Sequence, residues 1–379
     1  MARYLISYRR ILGAGMMLWT SVGNLLSDPG EVSFSRHILP ILSDHCFQCH
    51  GPDPAHRKGG LRLDLREEVL GDGASDMVVI PGDPQNSLLL QRIRSVDPDE
   101  VMPPEKAHKP LSEDQKQLLE RWVDQGAAWE KHWAFMVPRR PDIPKSASHP
   151  VDFFIRKRLG QEGLTLSPQA SIRTLLRRVS FDLIGLPHLE RANQEPPKEL
   201  RSDFWERHVD RFLESPHFGE RMAMWWLDAS RYADTDGFQL DAIRSNWAWR
   251  DWVIQAFNQN MPFDEFTRLQ FAGDLMPGAT PETILATCFH RNHMTNGEGG
   301  RDPEESRVDY VIDRVNTMGT LWMGLTLGCA QCHSHKFDPV SHAEYYQLSA
   351  YFNNIDESGA AGNKAHPYLD FESPLAKAH

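Results

Sequence analysis

Cysteine is scarce in this chain: five among 379 residues, too few for a scaffold held together by disulfides. Positive charge is also short, with 41 Lys and Arg against 52 Asp and Glu and a formal charge of -11. A phosphate backbone is gripped by clustered Lys and Arg, and no basic block occurs, so nucleic acid is not an expected partner. After residue 22 no apolar run approaches the roughly 20 residues of a membrane-spanning helix. Nucleotide fingerprints are missing too, because Gly71-Asp72-Gly73 and Gly297-Glu298-Gly299-Gly300 are short and lack a strand-to-helix setting. No Ser-His-Asp order stands out, and the acid pair Glu304 and Glu305 reads as a solvated helix start. Catalytic residues therefore stay unassigned. Long alternating patterns and fixed-period repeats are absent as well, which leaves a mainly α fold with substantial loops.

The N-terminus carries Arg3, Arg9 and Arg10 ahead of an apolar stretch over residues 11 to 22 that includes Met16, Met17, Leu18 and Trp19. With Ser21 and Gly23 behind it, this is the pattern of a secretory signal peptide, placed at residues 1–27. An uncleaved anchor is the alternative, although the run is short for a span. The expectation is an exported protein of the periplasm or cell envelope, with no stable membrane span once the signal is removed.

Four of the five cysteines fall into two pentads, Cys46-Phe47-Gln48-Cys49-His50 and Cys329-Ala330-Gln331-Cys332-His333. In Cys-x-x-Cys-His, one helical turn presents both sulfurs to the two vinyl groups of a porphyrin, and the neighbouring imidazole reaches its iron. A disulfide, a thioredoxin-like site or half a zinc site would each use Cys-x-x-Cys, but none needs the following His. Two covalent haems c are expected, held by Cys46, Cys49 and His50 and by Cys329, Cys332 and His333. Cys288 stands alone and reads as a small buried residue.

Apolar spacing predicts a helix over 32–42 leading into the first pentad and a second over 111–128 closing the region. Between them Met102 precedes Pro103 and Pro104, a thioether on a stiff loop, and is the expected sixth iron ligand, with His37, His45 and His108 as alternatives. Closely spaced prolines at 138, 141 and 144 mark an extended linker. Beyond it, Val308, Val311, Val315, Met318, Trp322 and Leu325 form one apolar stripe, predicting a helix that ends near Gly328 and delivers Cys329. His293 is the expected sixth ligand there; His290, Met294, His335, His342 or an open position are the alternatives. Trp225, Trp226, Trp247, Trp249 and Trp252 read individually as core, while as a group they suit a porphyrin wall or a sugar platform. Asp234, Asp236 and Asp241 surround a Gly turn in a pattern that suits calcium, though without the twelve-residue EF-hand loop; Asx turns explain it equally well.

Further runs sharpen the picture. Lys58-Gly59-Gly60-Leu61-Arg62-Leu63-Asp64, Pro81-Gly82-Asp83-Pro84, Met102-Pro103-Pro104 and His132-Trp133-Ala134-Phe135 follow the first pentad in order. Through these, residues 31–135 resemble the planctomycete-type cytochrome c domain. Asp182-Leu183-Ile184-Gly185-Leu186-Pro187, Arg231-Tyr232-Ala233-Asp234-Thr235-Asp236-Gly237 and the run from Cys329 through His335-Lys336-Phe337-Asp338-Pro339 make residues 151–355 resemble the cytochrome-associated domain of unknown function that commonly follows it. The resemblance implies a small cytochrome c-like helical domain and a larger, mostly helical second domain with long loops, joined by a linker at 136–150 and followed by a tail at 356–379. Larger members continue into a further domain, so a redox partner protein carrying that domain is expected. Electron transfer is the leading expectation. An oxidoreductase acting on a carbohydrate or other organic substrate is the alternative, and a non-redox adhesion module is a third reading.

Overall fold

The computed structural model describes residues 31–71, 77–138, 140–187, 202–239 and 241–372. The expected signal peptide at 1–27 lies outside them, as do Arg139 of the linker and residues 373–379. The described residues form 14 α-helices and shorter helical turns, with one isolated bridge between Thr235 and Ile243 and no sheet, so the fold is mainly α. The chain divides into two units at Met136/Val137. No helix among the described residues is long and apolar enough to cross a membrane.

In the first unit a single turn, Phe34–Ile38, feeds α1 (Leu39–His45), then α2 (Phe47–His50), α3 (Arg66–Leu70), α4 (Leu88–Arg94) and α5 (Glu113–Asp124). Phe34, Ile38 and Leu42 recur every four residues and are all buried, as are Leu119, Trp122 and Val123 of α5. Both sets enter one apolar core with Leu63, Val69, Val79, Leu90 and Ile93. The Phe34 ring lies 5.5 Å from Trp122 and stacks on Trp129 at 4.0 Å. Chain ends are clasped as well: the Val32 amide donates to Gln125 Oε1 at 2.8 Å, and Ser33 donates to Glu130 at 2.6 Å. The closing helix is shorter than 111–128 for two local reasons. Ser112 and Gln115 form a reciprocal capping box at its start, and the backbone turns left-handed at Gly126 and Ala127 just past its end.

The second unit contains α6 (Pro150–Gln161), α7 (Ile172–Ile184), α8 (Phe204–Leu213), α9 (Pro216–Ala229), α10 (Trp247–Asn258), α11 (Phe263–Ala272), α12 (Pro281–Ala286), α13 (Pro303–Met318) and α14 (His342–Ala350). α9 and α10 approach closely because Gly219 carries no side chain; a Cβ there would meet the Ile254 carbonyl at 2.4 Å. Trp249, Trp252, Val253, Phe266 and Phe289 fill one core, and Val311, Val315, Leu327, Ala330 and Tyr345 fill another. Trp226 packs against the first of these, whereas Trp225 and Trp247 are exposed.

One expectation is corrected here. The helix foreseen to run to Gly328 ends at Met318, followed by a wider turn at Gly319–Met323. Gly324 then takes a left-handed conformation while the Leu325 amide bonds the Gly319 carbonyl at 3.0 Å, which turns the chain and drops Leu327 into the core. The segment read as a tail from 356 is bonded to the rest of the second unit as far as Pro367. Arg301 holds the Gly359 carbonyl at 2.6 Å, Arg291 holds those of Ala365 and Pro367, and Ser245 bonds Asn363 at 2.8 Å.

Candidate haem sites

Cys46 closes α1, its amide donating to the Leu42 carbonyl at 2.8 Å, and its own carbonyl accepts from Cys49 at 3.0 Å and His50 at 2.8 Å. That single turn places positions 46, 49 and 50 on one face. Gly51 stops the turn in an extended conformation; a Cβ there would meet the Phe47 carbonyl oxygen at 2.3 Å. The chain then folds back on the motif, with Lys58 N donating to the Cys49 carbonyl and Leu63 N to that of His50, each at 2.8 Å. Arg57 ties the carbonyls of Gly51 and Pro52 at 3.2 and 2.9 Å.

Cys46 and Phe47 pack against the apolar core. Burial, and secondarily Cys49, pushes the Cys46 thiol up to about 12. It is not a thiolate near neutral pH, which removes the basis for a thioredoxin-like reading. Burial lowers the pKa of His50 as well, against a smaller upward push from the Lys58 backbone, so the imidazole is held neutral. Its Nδ1 is buried without a hydrogen-bond partner, a cost that a bound group would relieve. Two thiols and a neutral imidazole with one unpartnered nitrogen, against an apolar core, fit haem c.

Ring-nitrogen bookkeeping sorts the candidates for the opposite side. His45 Nδ1 lies 3.0 Å from the Lys109 carbonyl, which can only accept, so that nitrogen carries the proton, and Nε2 accepts from the Gln115 amide at 3.2 Å. Both nitrogens are committed. His37 Nδ1 accepts from Ser33 N at 3.0 Å, which puts the proton on Nε2, and His108 sits exposed at a left-handed position. Met102 stands on the loop after α4, its amide bonded to the Arg92 carbonyl at 3.0 Å and its side chain 37% exposed.

The second pentad is built differently. Leu327 and Ala330 are buried and pin a short turn, Leu327–Gln331, while Cys329, Cys332 and His333 are exposed. His333 Nδ1 lies 2.8 Å from the Ser334 carbonyl, so Nδ1 carries the proton and the Nε2 lone pair stays available, the tautomer an axial ligand needs. Phe337, Tyr346 and Met323 are exposed apolar side chains of this region. Tyr346 donates to the Gln331 carbonyl at 2.9 Å, inside the motif itself. His335 organises the next loop: its Nδ1 accepts from the amides of Phe337 at 3.2 Å and Asp338 at 2.8 Å, which places its proton on Nε2.

His293 lies elsewhere. Only 3% exposed, it donates from Nδ1 to the Met294 carbonyl at 2.9 Å, accepts from Arg314 at Nε2 at 3.0 Å, and stacks on Tyr310 at 4.1 Å. Both of its nitrogens are committed. Arg314 forms a two-pronged ion pair with Glu357, both side chains at most 4% exposed. Burial works against the Glu357 carboxylate, but His293, 3.4 Å away, and the Arg314 guanidinium bonded to it outweigh that and hold its pKa at about 2. His290 is enclosed by Phe271, Phe289 and Phe352; burial first, then Arg314 and His293, pushes it down to about 3. Met294 is exposed. Nothing in the sequence pattern announced this polar centre, because Glu357 joins it from a segment that reads as loop.

The three aspartates also serve separate partners. Tyr232 donates to Asp234 at 2.6 Å, Thr295 to Asp236 at 2.6 Å, and the Gly237 amide to Asp241 at 2.8 Å. Among the described residues no group of three or more His, Cys, Asp or Glu converges where one metal ion would sit, so these carboxylates are not gathered for calcium, nor either pentad for zinc. A porphyrin asks for no such convergence, since its thioethers lie on the macrocycle rim. Cys288 packs beside the Trp249 core, its thiol pushed up to about 11 by burial.

A helical unit carrying a Cys-x-x-Cys-His turn is followed in the chain by a larger helical unit that carries a second such motif. The family model described as Planctomycete cytochrome C matches residues 46–106, and that described as Protein of unknown function (DUF1549) matches residues 150–357. The second match spans more than half of the chain, which therefore belongs to the DUF1549 family, with a planctomycete cytochrome c region ahead of it. No curated protein and no solved structure matches the chain.

Proposed function

We propose that the protein is an exported di-haem c-type cytochrome whose task is electron transfer. The observation that carries this reading is shared by both pentads: each folds as a tight turn and leaves one imidazole with an uncommitted nitrogen, at His50 and at His333. When bound, haem c supplies reversible one-electron exchange at iron. Around the first haem, Cys46 and Cys49 tether the macrocycle, His50 binds the metal, and the apolar core keeps water from that face. Met102 is the ligand proposed opposite, since His45 has both nitrogens occupied. Around the second, Cys329, Cys332 and His333 play the corresponding parts on a surface bordered by Phe337 and Tyr346. A redox protein, such as one carrying the further domain of larger relatives, is the proposed partner, and the basic, apolar N-terminus supports export.

A second reading, oxidation of a carbohydrate or other organic substrate, draws support from one feature. A cleft of about 610 Å³ in the second unit is lined by Arg221, Met224, Trp225, Asp228 and Tyr232. The Trp225 ring is 66% exposed there, a platform on which a sugar face stacks.

Intact mass and absorption spectra of protein matured by a haem-attachment system test the proposal. Two haem masses that persist after denaturation are expected, and Cys329→Ser with Cys332→Ser is expected to remove one. Met102→Ala is expected to abolish the sulfur-to-iron charge-transfer band. A product of bare polypeptide mass would overturn the reading, and a spectrum altered by added sugar would favour the second one.

A further inference from the structure

With His333 as the proposed axial ligand of the second haem, the ligand for the opposite side is open among the described histidines of the second unit. The inference drawn here rests on reading the Cys329 pentad as a haem site and deepens it. Two conditions apply: the ring must be accessible with a nitrogen whose lone pair is free, and it must belong to an element fastened to the pentad.

The first condition removes His293, with both nitrogens bonded, and His335, whose Nδ1 already takes two backbone amides and whose Nε2 must hold the proton. His290 has an unpartnered Nδ1 but is sealed among three phenylalanine rings, away from the exposed pentad. The second condition removes His149, His208 and His217, which lie on or beside α6, α8 and α9, and His366, on the segment that Arg291 holds through Ala365 and Pro367. His342 passes both. Neither of its ring nitrogens is hydrogen-bonded, its ring is exposed, and its neighbour is Tyr346 at 5.1 Å. Its backbone amide donates to Ser334 Oγ at 3.2 Å, the residue directly after His333. One turn further along α14, the Tyr346 hydroxyl donates to the Gln331 carbonyl between the two cysteines. The His342 and Tyr346 face of α14 is thus fastened to the pentad at both ends.

We propose that His342 is the second axial ligand of the haem held by Cys329, Cys332 and His333, giving that iron two imidazoles and a low-spin state, while Tyr346 borders the macrocycle. The step is coordination alone: a neutral imidazole nitrogen lends its lone pair to iron and no electron changes hands. Two imidazoles set a lower potential than an imidazole and a thioether, so the second site is expected to be the more reducing of the two if Met102 serves the first.

The test is electron paramagnetic resonance and absorption of the full-length, matured protein beside its His342→Ala and His342→Met variants, with intact mass recorded for each. Because the ring is exposed, the variants are expected to fold and to keep two haem masses. His342→Ala is expected to turn one of two low-spin signals high-spin. His342→Met is expected to keep it low-spin and to add a second sulfur-to-iron charge-transfer band with a raised potential. Two unchanged low-spin signals in His342→Ala, or a high-spin second haem already in the unaltered protein, would overturn the assignment while leaving the di-haem reading intact. A single haem mass in the unaltered protein would instead overturn the reading on which it rests.

Discussion

The same five-residue pattern occurs twice in this protein, in opposite settings. The Cys46 pentad is woven into a core: its first cysteine packs on buried apolar side chains, and the following loop returns to bond it. The Cys329 pentad is pinned by two buried residues, Leu327 and Ala330, and Cys329, Cys332 and His333 are all exposed. Local sequence sets the turn, then, and the surrounding fold decides how dry the site is. A drier site raises the cost of charge on iron, whereas an exposed one eases exchange with a partner. With haem at both pentads, as proposed, the first setting would suit storage of an electron at a defined potential and the second hand-over.

The units behind the motifs differ in the same sense. Unit one is held by apolar packing around Trp122, unit two by apolar cores plus the buried Arg314–Glu357 pair. The largest expected effects come from breaking each. Trp122→Ala removes a fully buried indole and is expected to cost about 3–5 kcal/mol in the first unit alone. Glu357→Ala strands the Arg314 guanidinium and is expected to cost about 3–5 kcal/mol in the second alone. Hydrogen exchange read by mass spectrometry assigns each loss to its unit. Loss of protection in both units from either variant would show that the two are not separately stabilised.

Acid provides the next contrast. His290 binds its proton in the folded state at about 3 against an ordinary 6.5, so as pH falls from 6.5 the unfolded chain gains protons that the fold refuses. Stability of the second unit is expected to decline across that interval. Glu357, at about 2 against 4.5, adds stability that is complete above 4.5 and lost as pH falls from there to 2, on the order of 3 kcal/mol. The first unit has only the half-buried His50 lowered in this way among its described histidines, and its decline is expected to be shallower. His290→Phe, which suits the surrounding rings, is expected to flatten the second unit's slope between pH 6.5 and 4.5. An unchanged slope would place the acid sensitivity elsewhere.

Much of this was legible from the residues alone, for identifiable reasons. Helices around 34–45 and 113–124 announce themselves because their apolar side chains recur at three and four residues and face one core. Both pentads are legible because their chemistry is contained in five consecutive positions. The break at Gly324 was hidden, since the apolar stripe continues through Trp322 and Leu325 and the left-handed turn depends on a bond back to Gly319. Residues 357–370 read as a tail because their partners, Arg291, Arg301 and Arg314, lie 43 to 76 positions away and no local pattern records such pairings. His293 looked like a ligand for the same reason: its commitment to Arg314 is visible only in three dimensions.

The smallest expected effect isolates the motifs themselves. In haem-free protein, Cys46→Ser exchanges a partly buried thiol, weakly polar and packed against the apolar core of the first unit, for a hydroxyl that needs a partner. Against that apolar core the hydroxyl loses water without a matched gain, and about 1–3 kcal/mol of first-unit stability is expected to go. Cys329→Ser makes the same exchange on an exposed turn, where water satisfies the new hydroxyl, and is expected to stay within about 0.5 kcal/mol. Urea unfolding followed by hydrogen exchange in each unit compares them directly. Equal costs would mean that the Cys329 turn is covered in solution, and the contrast between a buried and an outward-facing haem site would fall with it.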